Sequence, residues 1–148
     1  MCHIGNEEVP IMNAWFFIFF AVCFSTVHAQ DSFEDLKAIN QVINDYFDGA
    51  TNANIAGLEK AFHKVCVLRW VIDGHLMESP RDEWFAWIKA NGPFERENAI
   101  EKIDITGSAA MVKAVADLKH TRFVDYISLL KINGDWKIVA KIFLRVDK

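Results

Sequence analysis

Cysteine is scarce in this sequence, and the scarcity limits how the folded chain can be held together. The 148 residues contain three cysteines, Cys2, Cys23 and Cys66. Cys2 and Cys23 lie within an N-terminal segment that we predict to be removed, which leaves Cys66 alone. Because a single thiol cannot form an internal disulfide, the domain must be stabilised by packing. Cys66 stands between Val65 and Val67, a position typical of a buried small hydrophobic residue rather than of a nucleophile.

Clusters of basic residues and the common catalytic signatures are also missing. Lysine and arginine number 16 against 20 aspartates and glutamates, for a net charge of −4. No stretch concentrates positive charge, which argues against a nucleic-acid-binding surface. The sequence has no phosphate-binding loop, dinucleotide-binding glycine pattern, zinc-ligand spacing or Gly-x-Ser-x-Gly motif. His63, His75 and His120 are scattered. We therefore expect neither a metal nor a cofactor.

The first 29 residues differ in character from the rest of the chain. Residues 11–27 are almost wholly apolar, and Val27-His28-Ala29 matches the pattern of a signal-peptide cleavage site. The residues before this run include two glutamates and no lysine or arginine, which is atypical of a signal peptide. The alternative is an N-terminal membrane anchor, although the apolar run is short for a full span. We predict that residues 1–29 are a signal peptide and that residues 30–148 form a secreted or periplasmic domain, free of the membrane after cleavage.

The first half of the domain is predicted to be mainly helical. Apolar residues spaced three and four apart indicate an amphipathic helix that ends at Gly49. Asn54 is the expected N-cap of a second helix, and Asp73-Gly74 is a turn between two strands. The predicted elements are a helix over residues 31–48, a helix over about 54–62, strands over 65–73 and 75–78, and a helix from Ser79-Pro80 to Asn91.

The second half is predicted to be all strand. Strands over residues 99–106 and 109–119 precede a long hairpin, in which Asn133-Gly134 provides the positive φ angles of a tight turn. One face of the 109–119 strand carries small residues, which either allow a helix to approach closely or leave room for a ligand. Helices early and a strand meander late indicate an α+β domain, with a curved antiparallel sheet packed against three helices.

A family resemblance extends over nearly all of residues 31–146. The motifs that carry it are Val42–Gly49 (VINDYFDG), Ala61–His63 (AFH), Ile103–Gly107 (IDITG), Asp125–Lys131 (DYISLLK) and Gly134–Val139 (GDWKIV). On these motifs the sequence resembles the nuclear transport factor 2-like superfamily, and within it the bacterial branch named putative lumazine-binding. The resemblance implies a cone-shaped, curved antiparallel sheet closed by three helices. It implies little about function, because the relatives include isomerases, dehydratases, cyclases and transport factors.

The register of the hairpin decides which side chains point into the cone, because a slip of one residue exchanges the two faces of a strand. A two-residue loop at Asn133-Gly134 places on the inner face Asp125, Ile127, Leu129, Ile138, Ala140 and Ile142. A bulge in the turn instead places there Tyr126, Ser128 and Leu130. In the first register the outer face carries Val139 and Phe143 among charged residues, namely Lys137, Lys141 and Arg145. Such a patch suits a homodimer contact, which family members often form.

Three residues are candidates for proton transfer. The first is Asp125, because burial on an apolar wall raises the pKa of a carboxylate, which is the property that a proton-transferring residue needs. The alternative is that Asp125 lies at the mouth of the cone, where it is solvated or paired with Arg122. His63, at a helix–strand junction, could be a general acid or base, but a histidine that satisfies loop backbone is more common. Tyr46 points toward the core, where packing with one hydrogen bond is its usual role.

Ligand contact is predicted for Trp70, Trp84 and, in the bulged register, Tyr126, although such tryptophans are more often simply core. Two classes of function remain open. The first is a pocket protein that binds a small apolar or heteroaromatic molecule, either without demonstrated catalysis or as an isomerase- or dehydratase-like enzyme that uses proton transfer in the cone. The second is a non-catalytic dimeric module that binds a ligand or a protein without turning it over. Since no base is paired with a second catalytic group in the sequence, we favour binding.

Overall fold

The computed structural model describes residues 23–148, with their side chains from residue 32 onward. Most of the predicted signal segment, and with it the choice between cleavage and anchoring, lies outside the described residues. Within residues 23–148, none of the helices combines the length and hydrophobicity that crossing a bilayer requires.

The described part of the chain contains three helices and six strands, in the predicted order. The elements are α1 (Cys23–Asn52), α2 (Ile55–Ala61), β1 (Phe62–Ile72), β2 (His75–Pro80), α3 (Arg81–Asn91), β3 (Glu97–Thr106), β4 (Ala109–Asp117), β5 (Thr121–Ile132) and β6 (Asp135–Asp147). The strands form one open sheet in the order β2-β1-β6-β5-β4-β3. This arrangement confirms the predicted α+β fold. The sheet is mixed rather than wholly antiparallel, because β1 runs parallel to β6.

Helix α1 is longer than predicted, and Gly49 does not end it. The helix continues to Asn52, and the chain leaves it at Ala53, whose φ of 55° is left-handed. Its buried stripe is Ile39, Ile43, Tyr46 and Ala50, at the spacing of one helix face. Gly49 lies against Leu58 of α2: a Cβ atom built on Gly49 would be 2.6 Å from the Cγ and Cδ2 atoms of Leu58. The glycine therefore permits close packing of two helices.

The small residues of β4 are packed into the core. Ala110, Val112 and Ala114 are buried within the main hydrophobic cluster of residues 34–148. Ala116 is also buried, although it is not part of that cluster. None of these four side chains borders the cavity described below. Of the two alternatives that the sequence left open for this strand, packing is the one that the structure adopts.

The hairpin has the two-residue turn, and its β6 strand contains a bulge. Ile132 pairs with Asp135 across Asn133-Gly134, and Asp125, Ile127 and Leu129 lie on the inner face of β5, as the first register predicts. Further along, Leu129 pairs with Ile138 whereas Ser128 pairs with Ala140, so Val139 is an extra residue in β6. A bulge of this kind exchanges the faces of the strand beyond it.

The bulge overturns the expected orientation of the second half of β6. Lys141 and Phe143 were expected on the outer face, but Lys141 is buried and both residues line an inner cavity. Ala140 and Ile142 were expected inside, but Ile142 is 54% exposed. The exposed apolar residues of the outer face are consequently different from the expected Val139 and Phe143. They include Tyr126, Ile142 and Leu144.

The contact between Gly49 and Leu58 gives a first prediction. We expect Gly49→Ala to lower the free energy of unfolding by about 1–3 kcal/mol through overpacking, although alanine has the higher helix propensity. Urea unfolding followed by circular dichroism measures this change. In a Leu58→Ala background, where the contacting Cγ and Cδ2 atoms are gone and the backbone oxygen of Asn54 at 3.0 Å is the close atom that remains, the same substitution should cost less. Equal costs in the two backgrounds would show that the close contact is not the reason for the glycine.

Candidate ligand-binding site

A buried cluster of three polar side chains joins helix α1 to strands β5 and β6. The Tyr46 hydroxyl donates a hydrogen bond to Oδ2 of Asp125 at 2.5 Å. Nζ of Lys141 donates to the Tyr46 hydroxyl oxygen and to Oδ1 of Asp125, both at 3.1 Å. Exposed fractions are 1% for Tyr46, 1% for Asp125 and 6% for Lys141. The three groups therefore satisfy one another away from solvent, as buried polar groups must.

Each side chain of the cluster reaches this place for a local reason. Tyr46 belongs to the buried stripe of α1, so its ring points at the inner face of the sheet. Asp125 lies on the inner face of β5, where its neighbours Ile127 and Leu129 are fully buried. Lys141 pairs with Ile127 in the sheet, and it points inward because the bulge at Val139 has exchanged the faces of β6.

Electrostatics within the cluster hold its protons in place. Burial raises the pKa of Tyr46 above its usual value, and the negative charge of Asp125 raises it further. Burial acts against the ammonium of Lys141, but the charge of Asp125 and the hydrogen bonds to Asp125 and Tyr46 outweigh it, so that the pKa of Lys141 is raised. Lys141 is thus an ammonium and Tyr46 a neutral phenol at neutral pH.

Aromatic rings surround the Lys141 ammonium. Nζ lies 4.9 Å from the ring centroid of Phe143, 5.1 Å from that of Tyr46 and 5.4 Å from that of Trp84. Each distance is within the range of a cation–π attraction. The rings therefore add to the stabilisation that Asp125 gives to the charge of Lys141.

An apolar cavity of about 160 Å³ lies next to this cluster. We call it the inner cavity. Tyr46 and Lys141 form part of its wall, and Arg96 is the other charged residue there. The remaining wall is aromatic and aliphatic: Ala50, Leu68, Trp84, Trp87, Ile88, Phe94, Leu118, Phe123 and Phe143. A concave apolar space with a few polar groups is the usual form of a small-molecule site.

A larger, more open depression of about 900 Å³ adjoins the inner cavity. We call it the outer groove. The two spaces share wall residues, namely Leu68, Trp84, Trp87, Phe123 and Phe143. The groove differs from the cavity in charge, since its own charged residues are Asp73, Glu83, Arg145 and Asp147. Neither Arg96 nor Lys141 borders it.

Four of the six predicted site residues come together here. Tyr46 and Asp125 form the cluster, with Tyr46 facing the cavity and Asp125 behind it. Trp84 borders both the inner cavity and the outer groove. Trp70 borders the groove, where its ring stacks on Phe143 at a centroid distance of 5.2 Å.

The other two predicted site residues lie elsewhere. Tyr126 is 42% exposed on the outer face of the sheet, beside Ile142, and does not border the inner cavity. His63 is at the start of β1, where its Nδ1 accepts a hydrogen bond of 3.4 Å from the backbone N–H of Val65. Neither residue is part of the cluster. Cys66 is buried, which raises the pKa of its thiol to about 11 and makes it a poor nucleophile.

Lys141 and Arg96 were missed by reasoning from the sequence. A signal for Lys141 existed: it is the single charged residue in the run Ile138–Leu144 (IVAKIFL), and a lone lysine in an apolar strand needs a partner if it is buried. Arg96 has no comparable signal, because it stands beside Glu95 and Glu97 in a connecting segment. Within residues 23–148, no group of histidine, cysteine or acidic side chains is arranged to hold a metal ion.

The buried pair of Lys141 and Asp125 gives a second prediction. Lys141→Met leaves the Asp125 charge buried without its partner, so we expect the free energy of unfolding to fall by about 3–5 kcal/mol. Combining Lys141→Met with Asp125→Leu should restore much of that loss, because no charge then remains. Lys102→Met, at an exposed position of β3, is the matched control and should change stability little. If the single variant Lys141→Met were as stable as the control, Lys141 and Asp125 would not form a buried ion pair that the fold requires.

A third prediction follows from the raised pKa values of Tyr46 and Lys141. The unfolded chain releases these protons near pH 10.0 and 10.5, whereas the folded chain retains them. The contribution of these two groups to the free energy of unfolding should therefore be complete below about pH 10. Above that pH the free energy of unfolding should fall by about 1.4 kcal/mol per pH unit for each proton retained by the folded chain. Urea unfolding between pH 8 and 11 measures the slope. Tyr46→Phe should make it shallower; unchanged slopes would contradict the prediction.

Comparison with known proteins agrees with this architecture. The family model described as "Putative lumazine-binding" matches residues 34–144. No curated protein matches the chain at a significant level.

Solved structures of similar fold come from several bacteria. A nuclear transport factor 2-like protein of unknown function from Shewanella baltica OS155 is 30% identical, with a TM-score of 0.72, over 78% of this chain and 96% of that one. A second such protein, from Methylobacillus flagellatus KT, is 29% identical, with a TM-score of 0.70, over 76% of this chain and 93% of that one. The chain therefore belongs to the putative lumazine-binding family, which has the nuclear transport factor 2-like fold.

Proposed function

We propose that this domain binds a small planar molecule, aromatic or heteroaromatic, in the inner cavity. The observation that carries the proposal is the aromatic wall of that cavity, at whose side Tyr46 and Lys141 present a polar cluster. Flat apolar walls bind a ring by packing, and a few fixed polar groups orient it. The name of the family, with its reference to a heteroaromatic compound, supports the same ligand class.

The size of the cavity restricts the ligand. An engineered apolar cavity of about 150 Å³ in another protein accommodates benzene, and the inner cavity measures about 160 Å³. A single ring therefore fits inside. A bicyclic molecule such as lumazine would extend past the shared residues Trp84 and Phe143 into the outer groove.

Binding without turnover agrees with the way the polar cluster is arranged. The acidic proton of Tyr46 is directed at Asp125, and the charges of Lys141 and Asp125 compensate each other. Asp125 is shielded from the cavity, whose wall includes Tyr46 and Lys141 but not Asp125. Isomerase- or dehydratase-like proton transfer is the alternative; it is favoured by the single observation that the Tyr46 hydroxyl joins the cavity to Asp125.

A ligand titration tests the proposal. The cavity has an aromatic wall that includes Trp84 and Trp87, so indole and lumazine should each bind in a saturable way in isothermal titration calorimetry. Ala50→Leu adds three carbon atoms to the cavity wall and should weaken binding at least about tenfold. Ala90→Leu, on an exposed position of α3, is the control and should bind normally. Absence of binding by the wild type, or equal binding by Ala50→Leu, would overturn the proposal. Chemical analysis of the recovered ligand separates binding from turnover.

We also infer that two copies of the domain pair through the outer face of the sheet. The support is a set of exposed hydrophobic side chains on adjacent strands: Val71, Leu76, Tyr126, Leu130, Ile142 and Leu144. The register places Tyr126 beside Ile142, and Val71 beside Leu76. A continuous apolar sheet face is a common subunit interface, and a two-fold pair would cover this patch on both copies at once.

Light scattering tests the pairing. The wild-type domain should have the mass of a dimer at micromolar concentration. The double variant Ile142→Glu/Leu144→Glu should be monomeric, because it places four like charges in a two-fold interface, and it should remain folded because both positions are more than half exposed at 54% and 59%. Lys89→Glu, on α3, is the control for a change of charge away from this face. A monomeric wild type would exclude the inferred interface.

A further inference from the structure

We propose that the ligand is an aromatic monocarboxylate whose carboxylate binds the guanidinium of Arg96 inside the inner cavity. The inference rests on the proposed function, since it specifies the chemistry of a molecule bound in that cavity. Three features support it: the charges that border the cavity, the hydrogen bonds that hold Arg96, and the acidic residues of the outer groove.

The charges at the inner cavity leave one positive charge uncompensated. Lys141 is neutralised by Asp125, with which it forms a buried ion pair of 3.1 Å. Tyr46 is neutral. Arg96 borders the same cavity, and within residues 32–148 no carboxylate forms an ion pair with it: its hydrogen bonds go to the hydroxyl of Thr51 and the backbone carbonyl of Phe47. An anion is the ligand that completes this charge distribution.

Arg96 is held in place by neutral groups. Its Nε donates to Oγ1 of Thr51 at 3.0 Å, and its Nη2 donates to the carbonyl oxygen of Phe47 at 3.4 Å. The guanidinium also lies over the ring of Tyr46, with Cζ 5.7 Å from the centroid. A guanidinium has five N–H donors in a fixed fork, so two are used and Nη1 keeps both of its own. A fixed guanidinium with unused donors is well suited to a carboxylate.

Lys141 provides a second polar contact for the same ligand. An ammonium has three N–H donors, and two of those of Lys141 go to Tyr46 and Asp125. Among the described residues, no oxygen or nitrogen accepts the third. Nζ lies 5.1 Å from the centroid of the Tyr46 ring, and the Arg96 guanidinium lies over the same ring, so both cations are next to one aromatic side chain of the cavity wall. An oxygen of the ligand can accept the third hydrogen bond.

The outer groove selects against a second negative charge on the ligand. Asp73, Glu83 and Asp147 border the groove, and its one basic residue, Arg145, is already paired with Asp147 at 3.1 Å. The groove is therefore acidic, whereas the inner cavity is cationic. A ring that carries one carboxylate inward and a neutral group outward matches this polarity. A dicarboxylate would place its second charge beside the acids, which is unfavourable.

Isothermal calorimetry with matched one-ring probes tests the inference. The one-ring probes are benzoate, its neutral isostere benzamide and the dicarboxylate terephthalate; the bicyclic indole, which also reaches the outer groove, is the uncharged reference. We expect benzoate to bind the wild-type domain about 10- to 100-fold more tightly than benzamide, as for a charged hydrogen bond, and more tightly than terephthalate. Arg96→Gln should abolish the preference for benzoate over benzamide, whereas indole, which has no carboxylate, should still bind. Arg145→Gln, which alters only the groove, should keep the preference.

The outcomes separate this inference from the proposed function. If benzamide and indole bind but benzoate has no advantage, the cavity binds rings and the assignment of an anion to Arg96 is wrong. If none of the four probes binds, the proposed function itself fails. Because Arg96→Gln removes contacts to Thr51 and Phe47, Arg96→Lys is a second variant that keeps the charge without the fork. It should retain part of the preference, and circular dichroism verifies that both variants fold.

Discussion

The buried ion pair between Lys141 and Asp125 is the interaction on which the interior of this domain depends. It joins neighbouring strands, and through the hydroxyl of Tyr46 it also joins them to helix α1. Hydrophobic packing alone would hold these elements together without fixing how far the helix lies along the sheet. Two directional hydrogen bonds, from Tyr46 to Asp125 and from Lys141 to Tyr46, fix that position, and the cost of burying charge is met because each group satisfies the others.

The inner cavity exists beside this cluster because of shape as well as polarity. Tyr46 and Lys141 are held by hydrogen bonds, and the rings of the wall, among them Trp84 and Phe143, leave an apolar space of about 160 Å³ between them. The cations near the cavity are placed against aromatic faces, which lowers the cost of keeping charge in an apolar region. A site built in this way is ordered before a ligand arrives, so little conformational entropy is lost on binding.

The sequence predicted the order of the elements, the hairpin turn and the inner face of β5, because each depends on local patterns: apolar periodicity, caps and the Asn133-Gly134 pair. It did not predict the bulge at Val139, since nothing in the run Ile138–Leu144 marks an extra residue. Everything that depends on the bulge was therefore misplaced, above all Lys141. Arg96 could not be found for a different reason, because its position is set by contacts with Thr51 and Phe47, more than 40 residues away along the chain.

The bulge at Val139 links two surfaces that are otherwise independent. Beyond it, alternate residues of β6 face the inner cavity, as Lys141 and Phe143 do, and the rest, such as Ile142 and Leu144, form the outer apolar face. Loss or gain of one residue at this point would exchange the two sets at once. Relatives that lack the bulge would therefore carry a different cavity lining and a different outer surface together. Within this fold, a single insertion or deletion can thus alter the inner cavity and the outer face of the sheet in one evolutionary step.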